Sequence, residues 1–182
     1  MNPLIVYRYE PESYSKNIMF YGHLDKMPYD EPWEEGLSPT EPVIRGSRLY
    51  GRGSHDDGYA AFSTMLCLKA AQVRGAKLPR VVLILETEEE SGSPSLEKLL
   101  EISEEFAGKP DCLFCLDSGC LDYERLWITS SFRGVAILDM EIQAAENGYH
   151  SGEVGGVVPE TFRIVRTLLD RLDDFKTGDM VE

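Results

Sequence analysis

One histidine and a set of carboxylates stand at the ends of apolar runs in this chain. "NIMFYG" (17–22) leads into His23-Leu24-Asp25, "RVVLIL" (80–85) into "ETEEESGS" (86–93), and "DCLFCL" (111–116) into Asp117-Ser118-Gly119. The second is the sharpest case, with four glutamates in five positions after a run that reads as a buried strand. Like charges that close repel, and burial resists the ionisation of each carboxylate. Either the segment is a solvated loop or a cation is expected there. One imidazole with several carboxylates is a ligand set that Zn2+ accepts. A fourth segment, "LYGRGSHDDGYAA" (49–61), brings Asp56 and Asp57 to the start of a helical pattern. It has no Gly-Lys-Ser/Thr, and Asp56 stands where a dinucleotide-binding loop needs its third glycine. An aspartate here could simply cap the helix, which accounts for one of the two at most.

The elements that must position these residues alternate. The three apolar runs are near-continuous, as expected of strands buried on both faces of a parallel sheet. Between them, "DGYAAFSTMLCLKAAQVRG" (57–75) and "SPSLEKLLEISEEFAGK" (93–109) read as helices, with Gly75 and Gly108 at their ends. Strand, helix, strand, helix, strand predicts an α/β fold with a largely parallel sheet flanked by helices. In such sheets ligands bind beyond the carboxyl ends of the strands, so His23 and the carboxylates should meet at one edge. The pattern changes after about residue 130. "RGVAILDMEIQAAE" alternates like a half-exposed strand, "NGYHSGEVGGVVP" is a glycine-rich loop, and "PETFRIVRTLLDRLDDF" reads as an amphipathic helix. The expected organisation is residues 1–130 as one domain and 131–182 as the start of a second, α+β domain.

Taken together, "YGHLDKMP", "LYGRGSHDD", "EEESGS" and "LDSG" resemble four successive signatures of the dinuclear-zinc exopeptidases and deacylases. That family includes aminoacylase, acetylornithine deacetylase, succinyl-diaminopimelate desuccinylase, glutamate carboxypeptidase and the cytosolic dipeptidases. Each signature is weak singly; the four in order are specific, and they span nearly the whole chain. "GYHSGEVGGVVP" resembles a fifth, the lid-domain loop of the dipeptidase branch. The resemblance implies that His23, Asp56, Glu90 and Asp117 ligate metal, with Asp56 bridging two zinc ions, or Mn2+ or Co2+ in their place. It implies Glu89 as general base, Asp25 as the residue that orients a ligand, and His150 as a lid residue that stabilises an oxyanion in the partner subunit of a homodimer. It also implies a cis bond between Asp56 and Asp57. A shift of one residue, to Glu88 and Glu89, stays open for the base and ligand pair. The implied reaction is hydrolysis of an amide bond in a dipeptide or N-acyl amino acid.

Two departures stand beside the resemblance. Gly58-Tyr59 occupies the place of a common Lys-Gly, and the family's late histidine ligand has no counterpart among His23, His55 and His150. The chain is therefore expected to be an internal segment of a longer enzyme and inactive alone. The alternative is a metal-binding or interaction module without the full catalytic set. The net charge of -14 argues against nucleic acid and anionic membrane as partners. No stretch approaches a membrane span, and the N-terminus lacks the features of a signal peptide, so a cytoplasmic location is expected. Cys67, Cys112, Cys115 and Cys120 read as reduced core thiols, because the Cys112/Cys115 pair lies in a strand where residues three apart face opposite ways.

Overall fold

The computed structural model describes residues 2–181, which divide into two compact units with the boundary between Ser130 and Ser131. The first unit opens with β1 (Ile5–Tyr9) and β2 (Asn17–His23), followed by the hairpin β3 (Val43–Arg45) and β4 (Arg48–Tyr50). It continues with α1 (Tyr59–Val73), β5 (Arg80–Glu86), a single 3-10 turn (Glu89–Ser91), α2 (Leu96–Ala107) and β6 (Cys112–Cys115). The main sheet has the order β1-β5-β2-β6. β2 runs parallel to both β5 and β6, and β1 pairs antiparallel with β5. The expected α/β sheet is thus present, with an antiparallel edge strand in the segment before the first apolar run.

β5 is the centre of the core, and all seven of its residues are buried. Its alternate side chains serve two faces, as the strand period requires. Val82 and Ile84 pack with Met19 and with Ala107 of α2; Leu83 and Leu85 pack with Ala60 of α1. The two helices therefore cover opposite faces of the sheet. α1 comes so close that a Cβ at Gly22 would collide with the Ala60 side chain and the Asp57 carboxylate. Glycine at 22 is what lets α1 lie against the end of β2.

β6 departs from expectation. It was read as buried on both faces, yet its four residues are exposed, and so are all four cysteines. The reason is topological: β6 pairs with β2 on one side only and ends the sheet. The four cysteines are exposed, so they are not the core thiols expected.

In the second unit, α3 (Ser151–Val154) and α4 (Thr161–Leu169) form where the loop and the amphipathic helix were expected. The strand expected over 133–146 does not form. Apart from one isolated bridge between Asp173 and Met180, the described residues of this unit offer it no strand to pair with. Without a partner its N–H and C=O groups gain nothing from extension. Phe132, Val135, Ile137 and Leu138 stay exposed.

Candidate metal centre

His23 closes β2 with its side chain fully buried. One ring nitrogen, Nδ1, lies 3.0 Å from the Asp25 backbone carbonyl and 3.4 Å from its carboxylate. A proton on Nδ1 donated to that carbonyl leaves Nε2 as a bare acceptor. Nε2 faces only carboxylates: Asp56 at 2.8 Å, Asp117 at 3.8 Å and Glu89 at 3.9 Å. A lone pair and a carboxylate oxygen this close repel unless a proton or cation lies between them. Burial pulls the His23 pKa down, but the Asp56 hydrogen bond, the Asp117 charge and the Asp25 carbonyl together raise it.

Two sets of donor atoms each lie within 4.8 Å of one another: His23, Asp56 and Asp117, and His23, Glu89 and Glu90. Four elements contribute. His23 comes from the end of β2, Asp56 from the loop before α1, Glu89 and Glu90 from the 3-10 turn after β5, and Asp117 from just beyond β6. A nitrogen donor among carboxylate oxygens is a set that Zn2+, Mn2+ or Co2+ accepts. A cavity of about 130 Å³, lined by His55, Asp56, Asp117, Ser118 and Gly119, adjoins it.

The surrounding charges point the same way. Glu89 is raised above the usual carboxylate range, first by burial and then by Asp117. Asp57 is pushed up to about 6, chiefly by burial, with Asp117 adding to it and the His23 N–H opposing. Carboxylates held partly against ionisation around one imidazole are stabilised as anions once a divalent ion joins them.

Asp25 lies past the end of β2 and acts on the turn opposite. Its two carboxylate oxygens accept the backbone N–H groups of Glu89 at 3.2 Å and Glu90 at 2.9 Å. The Glu90 carboxylate in turn accepts the Met27 N–H at 3.2 Å. Asp57 does not cap α1: the N-cap residue is Gly58, with no side-chain bond. The Asp57 carboxylate instead accepts the His23 N–H at 3.1 Å, and its other oxygen is buried without a partner. The bond between Asp56 and Asp57 is cis.

Lys26 escaped notice in the sequence. Its ammonium donates to the Asp25 carbonyl at 2.9 Å, and its stem fills the space over Gly53, whose φ of +81° suits glycine. A lysine directly after the His-x-Asp signature was the available signal. His150 belongs to the second unit, where it is exposed and its Nδ1 accepts the Gly152 N–H at 3.1 Å as the cap of α3.

Comparison with known proteins places this arrangement. Residues 19–163 match the family model described as peptidase family M20/M25/M40. The chain is 28% identical over 179 residues to the human Beta-Ala-His dipeptidase, covering 94% of this chain and 34% of that protein. It is 29% identical over 187 residues to the Cys-Gly metallodipeptidase DUG1 of Saccharomyces cerevisiae, covering 99% of this chain and 38% of that protein. A solved structure of the yeast dipeptidase Dug1p superposes with a TM-score of 0.65 at 25% identity, over 98% of this chain and 38% of that one. The chain thus spans little more than a third of the length of these relatives.

Proposed function

Because the chain belongs to peptidase family M20/M25/M40, we propose that the protein is a metal-dependent hydrolase of dipeptide or N-acyl amino acid amide bonds. The observation that carries this reading is the buried His23 ring, whose Nε2 faces the carboxylates of Asp56, Asp117 and Glu89. His23, Asp56 and Asp117 would hold one ion, and Asp56 with Glu90 would hold part of a second. Two bound zinc ions would supply positive charge to polarise a carbonyl and to acidify a water. Glu89 serves as general base: its raised pKa suits a group that takes a proton and returns it to a leaving amine. Asp25 holds the Glu89 and Glu90 amides so that both side chains keep their aim at His23.

The second unit would provide His150 as the oxyanion donor, acting across a homodimer formed through residues 131–182. The relatives' names suggest β-Ala-His and Cys-Gly as first substrates to try. A cytoplasmic location is in keeping with four free cysteines and with the absence, among the described residues, of a helix long and apolar enough to cross a membrane.

A second reading concerns these 182 residues alone. Both donor sets share the one histidine, His23, so among the described residues a second ion has no histidine of its own. On that reading the chain binds one Zn2+ firmly and does not turn over substrate. Calorimetric titration with Zn2+ beside a dipeptide assay separates the two. One tight site without hydrolysis supports the second reading. Hydrolysis that chelation abolishes and Zn2+ restores supports the first for this chain as it stands. Hydrolysis unaffected by thorough chelation, with no Zn2+ bound, would overturn the metal-dependent function.

A further inference from the structure

Glu86 is a buried carboxylate that the chemistry proposed above leaves unused. It closes β5 with 2% of its surface exposed and pairs in register with His23. No ion pair reaches it among the described residues. Two hydroxyls do. Tyr21, two residues before His23 and so on the same face of β2, donates to its Oε1, and Ser93 donates to the same oxygen at 2.9 Å. The Tyr21 hydroxyl is held protonated far above its ordinary range, by burial first and by its bond to Glu86 next.

Ser93 shows what this carboxylate does. Its φ is +53°, in the left-handed region where glycine is at ease and serine is strained. The residue ends the turn that carries Glu89 and Glu90: the Ser91 and Ser93 N–H groups both donate to the Glu88 carbonyl, at 3.1 and 2.8 Å. Glycine would satisfy that backbone without strain. What serine adds is the hydroxyl, and the hydroxyl goes to Glu86. Asp25 holds the amides inside the turn, and Glu86 holds its return.

We propose that Glu86 is a positioning residue: through Ser93 its carboxylate fixes the return of the turn that presents Glu89 and Glu90 to His23, and Tyr21 holds that carboxylate in place. The proposal rests on the reading of Glu90 as a ligand and Glu89 as the base.

The test is Zn2+ affinity of the full-length enzyme, where both metal positions can fill, by calorimetry beside its thermal melt, for Ser93→Gly, Glu86→Leu, Glu86→Gln and Glu90→Gln. Ser93→Gly removes the tie and relieves the strained φ, so its Tm should equal or exceed the parent's while Zn2+ binds about tenfold more weakly, the worth of one lost hydrogen bond. Glu86→Leu should weaken binding at least as much. Glu86→Gln keeps an acceptor oxygen and should stay within about threefold of the parent. Parent-like affinity in Ser93→Gly, while Glu90→Gln is weakened, overturns the role of Glu86 and leaves the proposed function standing. Parent-like affinity in Glu90→Gln removes the ligand reading and the role of Glu86 with it.

Discussion

His23 and His150 stand in the two units and make opposite use of the same side chain. His23 is buried; its Nδ1 meets the Asp25 carbonyl two residues on, and its Nε2 meets the Asp56 carboxylate from a loop distant in sequence. His150 is exposed, and its one partner is the amide two residues away. The first histidine is held by a sheet, a neighbouring loop and a turn; the second by a local cap. A residue of the first kind is pre-aimed before any ligand arrives. One of the second kind keeps its other nitrogen free, and its direction depends on a short loop.

The contrast can be broken at several strengths. The largest effect is expected from Glu89→Gln in the full-length enzyme. Turnover should fall by about 10²–10⁴-fold, the usual span for loss of a general base, with metal content unchanged. Metal analysis beside a peptidase assay checks it, and near-normal turnover would sink the assignment. His150→Ala should lower kcat by about 10²–10³-fold, also without metal loss, if its free nitrogen serves a developing oxyanion. Mixing inactive His150→Ala with inactive Glu89→Gln subunits should then restore part of the activity. No recovery despite demonstrated subunit exchange would remove the cross-subunit role.

A smaller effect is expected from Gly22→Ala. The added methyl group meets Ala60 and the Asp57 carboxylate, so α1 must shift at a cost of about 1–3 kcal/mol. Because Asp57 accepts the His23 N–H, Zn2+ affinity should fall along with the melting temperature. Loss of stability with full affinity would show that His23 is held independently of that contact.

The smallest effect is expected at Asp111, which ties the start of β6 to β2. Its carboxylate accepts the Asn17 N–H at 2.8 Å and the Lys16 ammonium at 2.9 Å, and these bonds hold its pKa below the usual range. A lowered carboxylate pKa contributes stability above the unfolded value and loses it as the pH falls through the folded one. Asp111→Asn should therefore be slightly less stable than the parent at neutral pH and converge with it in strong acid. Denaturation curves across that range decide; a difference that widens in acid would refute the sign.

Near-continuous apolar runs made the three parallel strands readable, composition and an end glycine did so for α1, and helical periodicity for α2 and α4. Each carries its own apolar pattern, so local residues specify it. β1 was missed because "IVYRY" is short and half-exposed, and it becomes a strand by pairing with β5. The hairpin of β3 and β4 was missed for the same reason, each strand being only three residues long. The reverse error came at 133–146, where good alternation found no neighbour. Strand formation is a property of pairs, and alternation describes one member. Cys112 and Cys115 were placed in a core because their run is apolar; nothing in a run states that its strand lies at an edge.

The candidate site divides along the same line. Residue types and order put His23 and a group of carboxylates at one sheet edge, because polar residues that follow buried strands gather there; the family resemblance then singled out Asp25, Asp56, Glu89, Glu90 and Asp117 among them. Which atom faces which was beyond that reach. The Asp25 carboxylate on two amides of a turn more than sixty residues away, Asp57 beneath the His23 amide, and Glu86 tied to Ser93 each join segments distant in sequence. Such contacts depend on the register of β2 against β5 and on how closely α1 approaches Gly22. Both are set by packing in three dimensions, so the linear pattern supplies the chemical groups and the folded sheet supplies their aim.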